Sequence, residues 1–284
     1  MRADGILTLS CPDRPGIVAA VSRLLFDHGA NIEESQQFDD ERTDTFFMRI
    51  AFSIEQDGPS VQRWRELMAP VAEQLEMDWA IWDAHRAHRT MVMVSRFGHC
   101  LNDLLFRWKS GAVNIDIPVI VSNHEDLRPL ARMYGIPFVV IPVTSATKVD
   151  AEIRLREVIA EHDIDLVVLA RYMQILSDDL SHDLSGRVIN IHHSFLPSFK
   201  GAKPYHQAFG RGVKLIGATA HYVTPDLDEG PIIEQDVMRV DHRMTPEDLV
   251  RAGEECESRV LARAVRWHSE SRVLINGERT VVFS

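Results

Sequence analysis

Cysteine is scarce in this chain of 284 residues, and positive charge is outnumbered by negative. The three cysteines, Cys11, Cys100 and Cys256, are too scattered for a disulfide framework or a thiolate metal site. That usage points to a reducing, cytoplasmic setting. Lysine and arginine number 31 against 42 acids, a net charge of −11. This excludes the basic face of a nucleic-acid binder, and it leaves any anionic ligand to be met locally. No apolar run approaches the ~20 residues of a membrane span. Met1-Arg2-Ala3-Asp4-Gly5 is expected to lead into a strand rather than to act as a signal peptide. Internal repeats and low-complexity tracts are also missing. What remains, 45% hydrophobic and 26% charged residues, is the balance of a globular protein of one large or two modest domains.

The first 84 residues read as one small unit. Ile6 to Ser10 form a strand pattern, and Ile17, Val18, Val21, Leu24 and Leu25 recur at helical spacing up to Gly29. Strands follow over residues 31–35 and 45–52, then an amphipathic helix over 61–75 and a strand over 77–82. The order β-α-β-β-α-β is ferredoxin-like. Asp13-Arg14-Pro15-Gly16-Ile17-Val18 after the first strand resembles the turn of an ACT regulatory domain. The resemblance implies an amino-acid effector at Asp13, Arg14 and Gly16. Glycine or methionine are the expected effectors. It also implies homo-oligomer formation, and a pure assembly module stays open beside it.

Residues 85–89 are polar and patternless, and are read as a linker. From residue 90 to 284 the pattern changes. Apolar strands over 90–95, 117–122, 138–141 and 166–170 alternate with helices over 99–109, 127–134 and 151–162. Such alternation gives an α/β fold, a mostly parallel sheet covered by helices.

The chemistry concentrates in two short segments. Asn190-Ile191-His192-His193-Ser194-Phe195-Leu196-Pro197 follows a short β run, and Asn190 and His192, two apart, share one face of a strand. The second segment, Ile216 to Val223, carries His221 and opens into the loop Thr224 to Pro231 with Asp228. An amide, imidazoles and a carboxylate where strands open into loops suit a small-molecule site. Zinc ligation by His192, His193, His206 and His221 is the alternative. Adjacent His192 and His193 on a strand would face opposite ways, and no His-x-His or His-x-x-x-His pair exists, so no metal is expected. Cys100, opening a helix beside His99, could be a nucleophile, although a core role is commoner there.

The combination Asn-x-His-x-Ser-x-Leu-Pro, His-Tyr-Val and Asp-x-Gly-Pro-Ile-Ile resembles the 10-formyltetrahydrofolate formyltransferase family, over residues 90 to 283. Within it, Gly98-His99-Cys100-Leu101-Asn102-Asp103-Leu104 resembles the deformylase branch. It departs from the glycine-rich phosphate cradle of the glycinamide ribonucleotide enzymes. The resemblance implies a Rossmann-like catalytic domain that hydrolyses 10-formyltetrahydrofolate to tetrahydrofolate and formate, with folate as substrate and no cofactor. It implies Asn190, His192 and Asp228 as catalytic residues and His221 as their partner. Asn190 and His192 would steady the oxyanion, and Asp228 would activate water. Met173, Gln174, Ile175 and Leu176 would border the pterin, with Tyr222, Val223 and Thr224 on the other side. Lys200, Lys203, Arg211 and Lys214 would face the glutamate tail or simply be solvated. A transferase with an amino acceptor, or a silent ACT-gated folate sensor, remains the alternative. No nucleic-acid or membrane partner is expected.

Overall fold

The computed structural model describes residues 3–54, 58–196 and 204–284. Its backbone divides into two compact units. The first runs to Ala87 and includes Glu270–Asn276 and Val281–Ser284; the second comprises His88–Ser269 and Gly277–Thr280.

In the first unit, β1 (Gly5–Pro12), α1 (Ile17–Asp27), β2 (Ala30–Asp40), β3 (Thr45–Ile54), α2 (Val61–Gln74) and β4 (Asp78–Asp83) follow the order read from the sequence. The strands form an antiparallel sheet ordered β2-β3-β1-β4. One face is apolar: Leu7, Leu9, Met48, Ile50 and Phe52 pack with Val21 and Leu25 of α1 and with Trp64 and Met68 of α2. Ser60 caps the start of α2, its hydroxyl accepting from the Arg63 amide. Arg49 on β3 is fully buried and is held by Glu34 and by the carbonyl of Glu270.

The end of the chain differs from the sequence reading, which assigned every residue from 90 to 284 to the second domain. Residues 270–276 and 281–284 belong to the first unit. Charge and burial explain this. The Arg272 guanidinium donates to Glu34 at 3.1 Å, to Gln36 at 3.2 Å and to the Phe283 carbonyl at 2.9 Å, and Phe283 itself is buried. A charged group so enclosed needs its partners, because breaking such a pair strands a charge.

The second unit is built on β5 (His88–Val94), α3 (His99–Lys109), β6 (Ile115–Ser122), α4 (Arg128–Met133), β7 (Phe138–Val140), α5 (Lys148–Glu161) and β8 (Leu166–Leu169). It continues with α6 (Asp178–Asp183), β9 (Val188–His192), α7 (Pro204–Arg211), β10 (Leu215–Tyr222), β11 (Ile232–Arg239) and α8 (Pro246–Ser269). The sheet order is β11-β10-β9-β8-β5-β6-β7. Strands β5 to β9 pair in parallel, and β10 and β11 add an antiparallel edge. The central strands β5 and β8 are buried on both faces, which is why they read as unbroken apolar runs.

The sequence reading did not anticipate α8 or β11. The buried side of α8 runs Leu249, Gly253, Cys256, Glu257, Val260, Leu261 and Ala264, a helical stripe interrupted by a glycine and an acid. Gly253 is there because a Cβ would collide with the Tyr205 ring of α7. In β11 burial alternates poorly, as expected of an edge strand.

Candidate active site

Antiparallel pairing of β9 with β10 sets His221 directly opposite Asn190 and Thr219 opposite His192. A register shift at Ala220/His221 in the β10–β11 ladder lies next to this pair, a common device for re-aiming a side chain beside a site. The His221 ring is fixed at both nitrogens. Nδ1 lies 2.8 Å from the Tyr222 carbonyl, which can only accept, so Nδ1 carries a proton. Nε2 lies 3.2 Å from the Asn190 amide nitrogen. An amide hydrogen of Asn190 is left for another acceptor.

Asp228 comes to the same place from the loop after β10. Its Oδ2 is 3.2 Å from His192 Nδ1 and its Oδ1 is 3.7 Å from His221 Nε2. Burial alone would raise this carboxyl, but the hydrogen bonds and charge of His192 and His221 outweigh it and hold it well below the usual carboxylate range. Asp228 has φ 58°, a left-handed conformation that costs a non-glycine residue energy and recurs at functional sites. The turn closes two residues later at Gly230, where a Cβ would run into the Tyr222 carbonyl. The same strand–loop corner is pinned by the hydrogen bond from the Tyr222 amide to the Pro231 carbonyl, 2.9 Å.

These four residues border a cavity of about 690 Å³, within the range of small-molecule sites. Met173, Gln174, Ile175, Leu176, Val223 and Thr224 line it as well. Met173 and Ile175 are 53% and 58% exposed, so they form apolar walls rather than core. Tyr222 does not line the cavity. It follows His221 on β10, so its side chain takes the other face, where it is buried with its hydroxyl 2.7 Å from His268 Nδ1. Only its carbonyl serves the site, by holding His221.

His193 also reaches the cavity. The expectation that adjacent His192 and His193 face opposite ways fails because β9 ends at His192. The two rings lie edge to face with centroids 5.0 Å apart. Burial, with the Arg171 charge next, pushes His193 down to about 4.

A further charged wall was not read from the sequence. Glu257 of α8 is fully buried and borders the cavity. Its Oε1 accepts from the Tyr205 hydroxyl at 2.5 Å, and its Oε2 lies 2.8 Å from His99 Nε2. Burial works to raise Glu257, but His99, Arg171 and Tyr205 overcome it and hold the carboxyl low. Burial and the adjoining Glu257 charge push Tyr205 strongly up, so it stays the donor. Arg171, just past β8, has φ 63° and stacks over Phe97 at 5.1 Å. These residues come from four separate segments, and no spacing links them. The one sequence signal was the pair His99-Cys100.

Cys100 does not suit a nucleophile: burial, then the charge of Glu257, pushes the thiol well above its ordinary value. Among the described residues, the single group with metal-ligand spacing is His99, Cys100 and Glu257, not the set His192, His193, His206 and His221 weighed above. The thiol resists ionisation, and the Arg171 cation 3.5 Å from Glu257 opposes a second positive charge. Lys200 and Lys203 lie outside the described residues. Arg211 and Lys214 are exposed and do not line the cavity.

Fold and site together define an α/β protein with a histidine–carboxylate–amide cluster beside a pocket for a small organic ligand. The formyl transferase family model matches residues 88–265 and the ACT domain model matches residues 5–67. A formyltetrahydrofolate deformylase from a Corynebacterium species is 50% identical, covering 98% of this chain and 97% of its own. The Bacillus subtilis formyltetrahydrofolate deformylase is 47% identical, with coverages of 99% and 94%. The crystal structure of the Burkholderia mallei formyltetrahydrofolate deformylase superimposes with a TM-score of 0.95 at 52% identity, over 99% of this chain and all of that one. The chain belongs to the formyltetrahydrofolate deformylase family.

Proposed function

We propose that this protein hydrolyses 10-formyltetrahydrofolate to tetrahydrofolate and formate. The observation that carries the reading is the meeting of Asn190, His192, His221 and Asp228 in one cavity, with His192 Nε2 buried and without a partner among the described residues. Names of relatives sharing half of the sequence support the substrate.

In this mechanism the pterin lies against Met173 to Leu176 and Val223 to Thr224. The formyl oxygen points at His192 Nε2 and the spare Asn190 hydrogen. Water is held by the ionised Asp228. Its oxygen bonds to the formyl carbon as one of its protons passes to Asp228, and the charge that develops on the formyl oxygen is met by the two donors. Each such donor is worth roughly 10²–10³ in rate. The C–N bond then breaks, N10 takes the proton from Asp228, and formate leaves. A carboxylate held so far below its ordinary range is a weak base in isolation, but it returns the proton readily to the nitrogen. The formate would feed purine synthesis and the reaction would balance the one-carbon pool.

In the first unit, Asp13, Arg14 and Gly16 border a recess of about 500 Å³ with Ser22 and Phe46. We assign it to an amino-acid effector, glycine or methionine, and assign homo-oligomerisation to this unit. Three free, buried cysteines support a reducing, cytoplasmic setting. Among the described residues no helix is long and apolar enough to cross a membrane. The test is formate release from 10-formyltetrahydrofolate, with and without an amino acceptor. Formate appearing without acceptor supports the hydrolase, and formyl transfer that needs the acceptor overturns it.

A further inference from the structure

Buried polar atoms nearly always find partners, so those that do not call for an explanation. Among the described residues, four buried side-chain nitrogen or oxygen atoms have none: Trp64 Nε1, Arg171 Nε, His192 Nε2 and His193 Nδ1. Three of the four belong to residues that line the candidate active-site cavity. The proposed mechanism uses His192 Nε2, and nothing in it uses the other two.

Arg171 is the more telling. It leaves the end of β8, at the carboxyl edge of the parallel sheet where ligands of such folds gather. Its side chain is only 11% exposed, yet within the described residues its guanidinium makes no hydrogen bond. Its contacts are the Phe97 ring and an ion-pair distance of 3.5 Å to Glu257 Oε2. Glu257 does not need it, because its two oxygens already engage Tyr205 and His99. Arg171 is also the sole lysine or arginine among the described lining residues, against Asp226, Asp228, Glu254 and Glu257. A fork of free donors, mostly dry and lining the cavity that holds the reaction site, matches the two coplanar oxygens of a carboxylate.

We propose that Arg171, together with His193 Nδ1, forms a subsite for a small carboxylate, the formate product. Resting on the hydrolase reading, it gives the leaving anion a place in a cavity whose carboxylates repel it. It also separates the product from Asp228.

The experiment measures binding without turnover. Sodium ¹³C-formate, or formamide as its neutral isostere, is titrated into the full-length protein by NMR line broadening, using wild type, Arg171→Met, Arg171→Lys and Asp228→Asn. Wild type should bind formate saturably and formamide at least about tenfold more weakly, since a charge-assisted pair is at stake. Arg171→Met should weaken formate by about tenfold or more, Arg171→Lys by less, and Asp228→Asn should bind formate at least as well as wild type. Circular dichroism confirms that each variant is folded. Absence of saturable formate binding to wild type, equal binding of formamide, or unchanged binding in Arg171→Met would overturn the subsite, and the first two outcomes need no variant. Formate release by wild type is read separately, so a failed hydrolase reading and a failed subsite give different results.

Discussion

Asp228 is where charge, backbone strain and chemistry meet. It adopts a left-handed conformation and contacts both imidazoles. Asp228→Asn preserves the shape and removes the charge. Formate release at saturating substrate should fall by ~10²–10⁴-fold, the usual cost of losing a general base, with an unchanged circular dichroism spectrum. Activity within about threefold of wild type would contradict the assignment. The depressed carboxyl also fixes a sign. Its contribution to stability is complete above the unfolded value of ~3.9, and is lost only as pH falls through the lower folded value. Rate changes between about pH 5 and 8 therefore belong to other groups. The buried histidines work the opposite way. His193 is pushed down to about 4 and His268 to about 3, in both cases chiefly by burial. Between the unfolded ~6.5 and these values the unfolded chain binds the extra protons, so stability falls as pH drops through that window. Urea melts should show this, and His193→Asn should flatten the dependence. A slope unchanged by that substitution would count against a buried neutral His193.

At the scale of elements, the corner from β10 to Pro231 holds the site in shape. Gly230→Ala drives a Cβ into the Tyr222 carbonyl, whose oxygen also holds His221. It should cost about 1–3 kcal/mol in a denaturant melt and reduce activity as well, whereas Asp228→Asn bears chiefly on activity. Full stability in Gly230→Ala would show that the corner yields easily. Elements were legible where periodicity is unmixed. The bounds of α3 match the reading because Cys100, Leu101, Leu104 and Leu105 form a regular stripe, and β8 shows itself as an unbroken apolar run. The four central site residues were legible because each lies within or beside a strand in a dense motif. Tyr222 was misjudged because alternation along β10 turns it away from His221. The Arg171–Glu257–Tyr205–His99 wall was not legible. Its members are buried polar residues drawn from distant segments, and the packing of α3 and α7 against α8 brings them together.

At the scale of the molecule, the chain carries an antiparallel ferredoxin-like unit and a mostly parallel catalytic unit, each with its own core. The first unit leaves β2 and β4 as sheet edges within its own sheet. Exposed edges usually acquire a covering, and a second copy supplies one. Light scattering at micromolar concentration should report an oligomer, and a monomer would argue against an assembly role. Titrating glycine or methionine should change the rate, since an effector preferring one state by ~1–3 kcal/mol moves activity some 5–150-fold. No rate change and no heat of binding would reduce the recess beside Arg14 to a structural feature. The central claim is that water is the acceptor. It is tested most directly by incubating the purified protein with 10-formyltetrahydrofolate alone and measuring tetrahydrofolate and formate together. The account predicts that they appear in equal amounts without any amine, and that Asp228→Asn lowers both by ~10²–10⁴-fold. No formate until an amino acceptor is added, with the formyl group recovered on that acceptor, would contradict it.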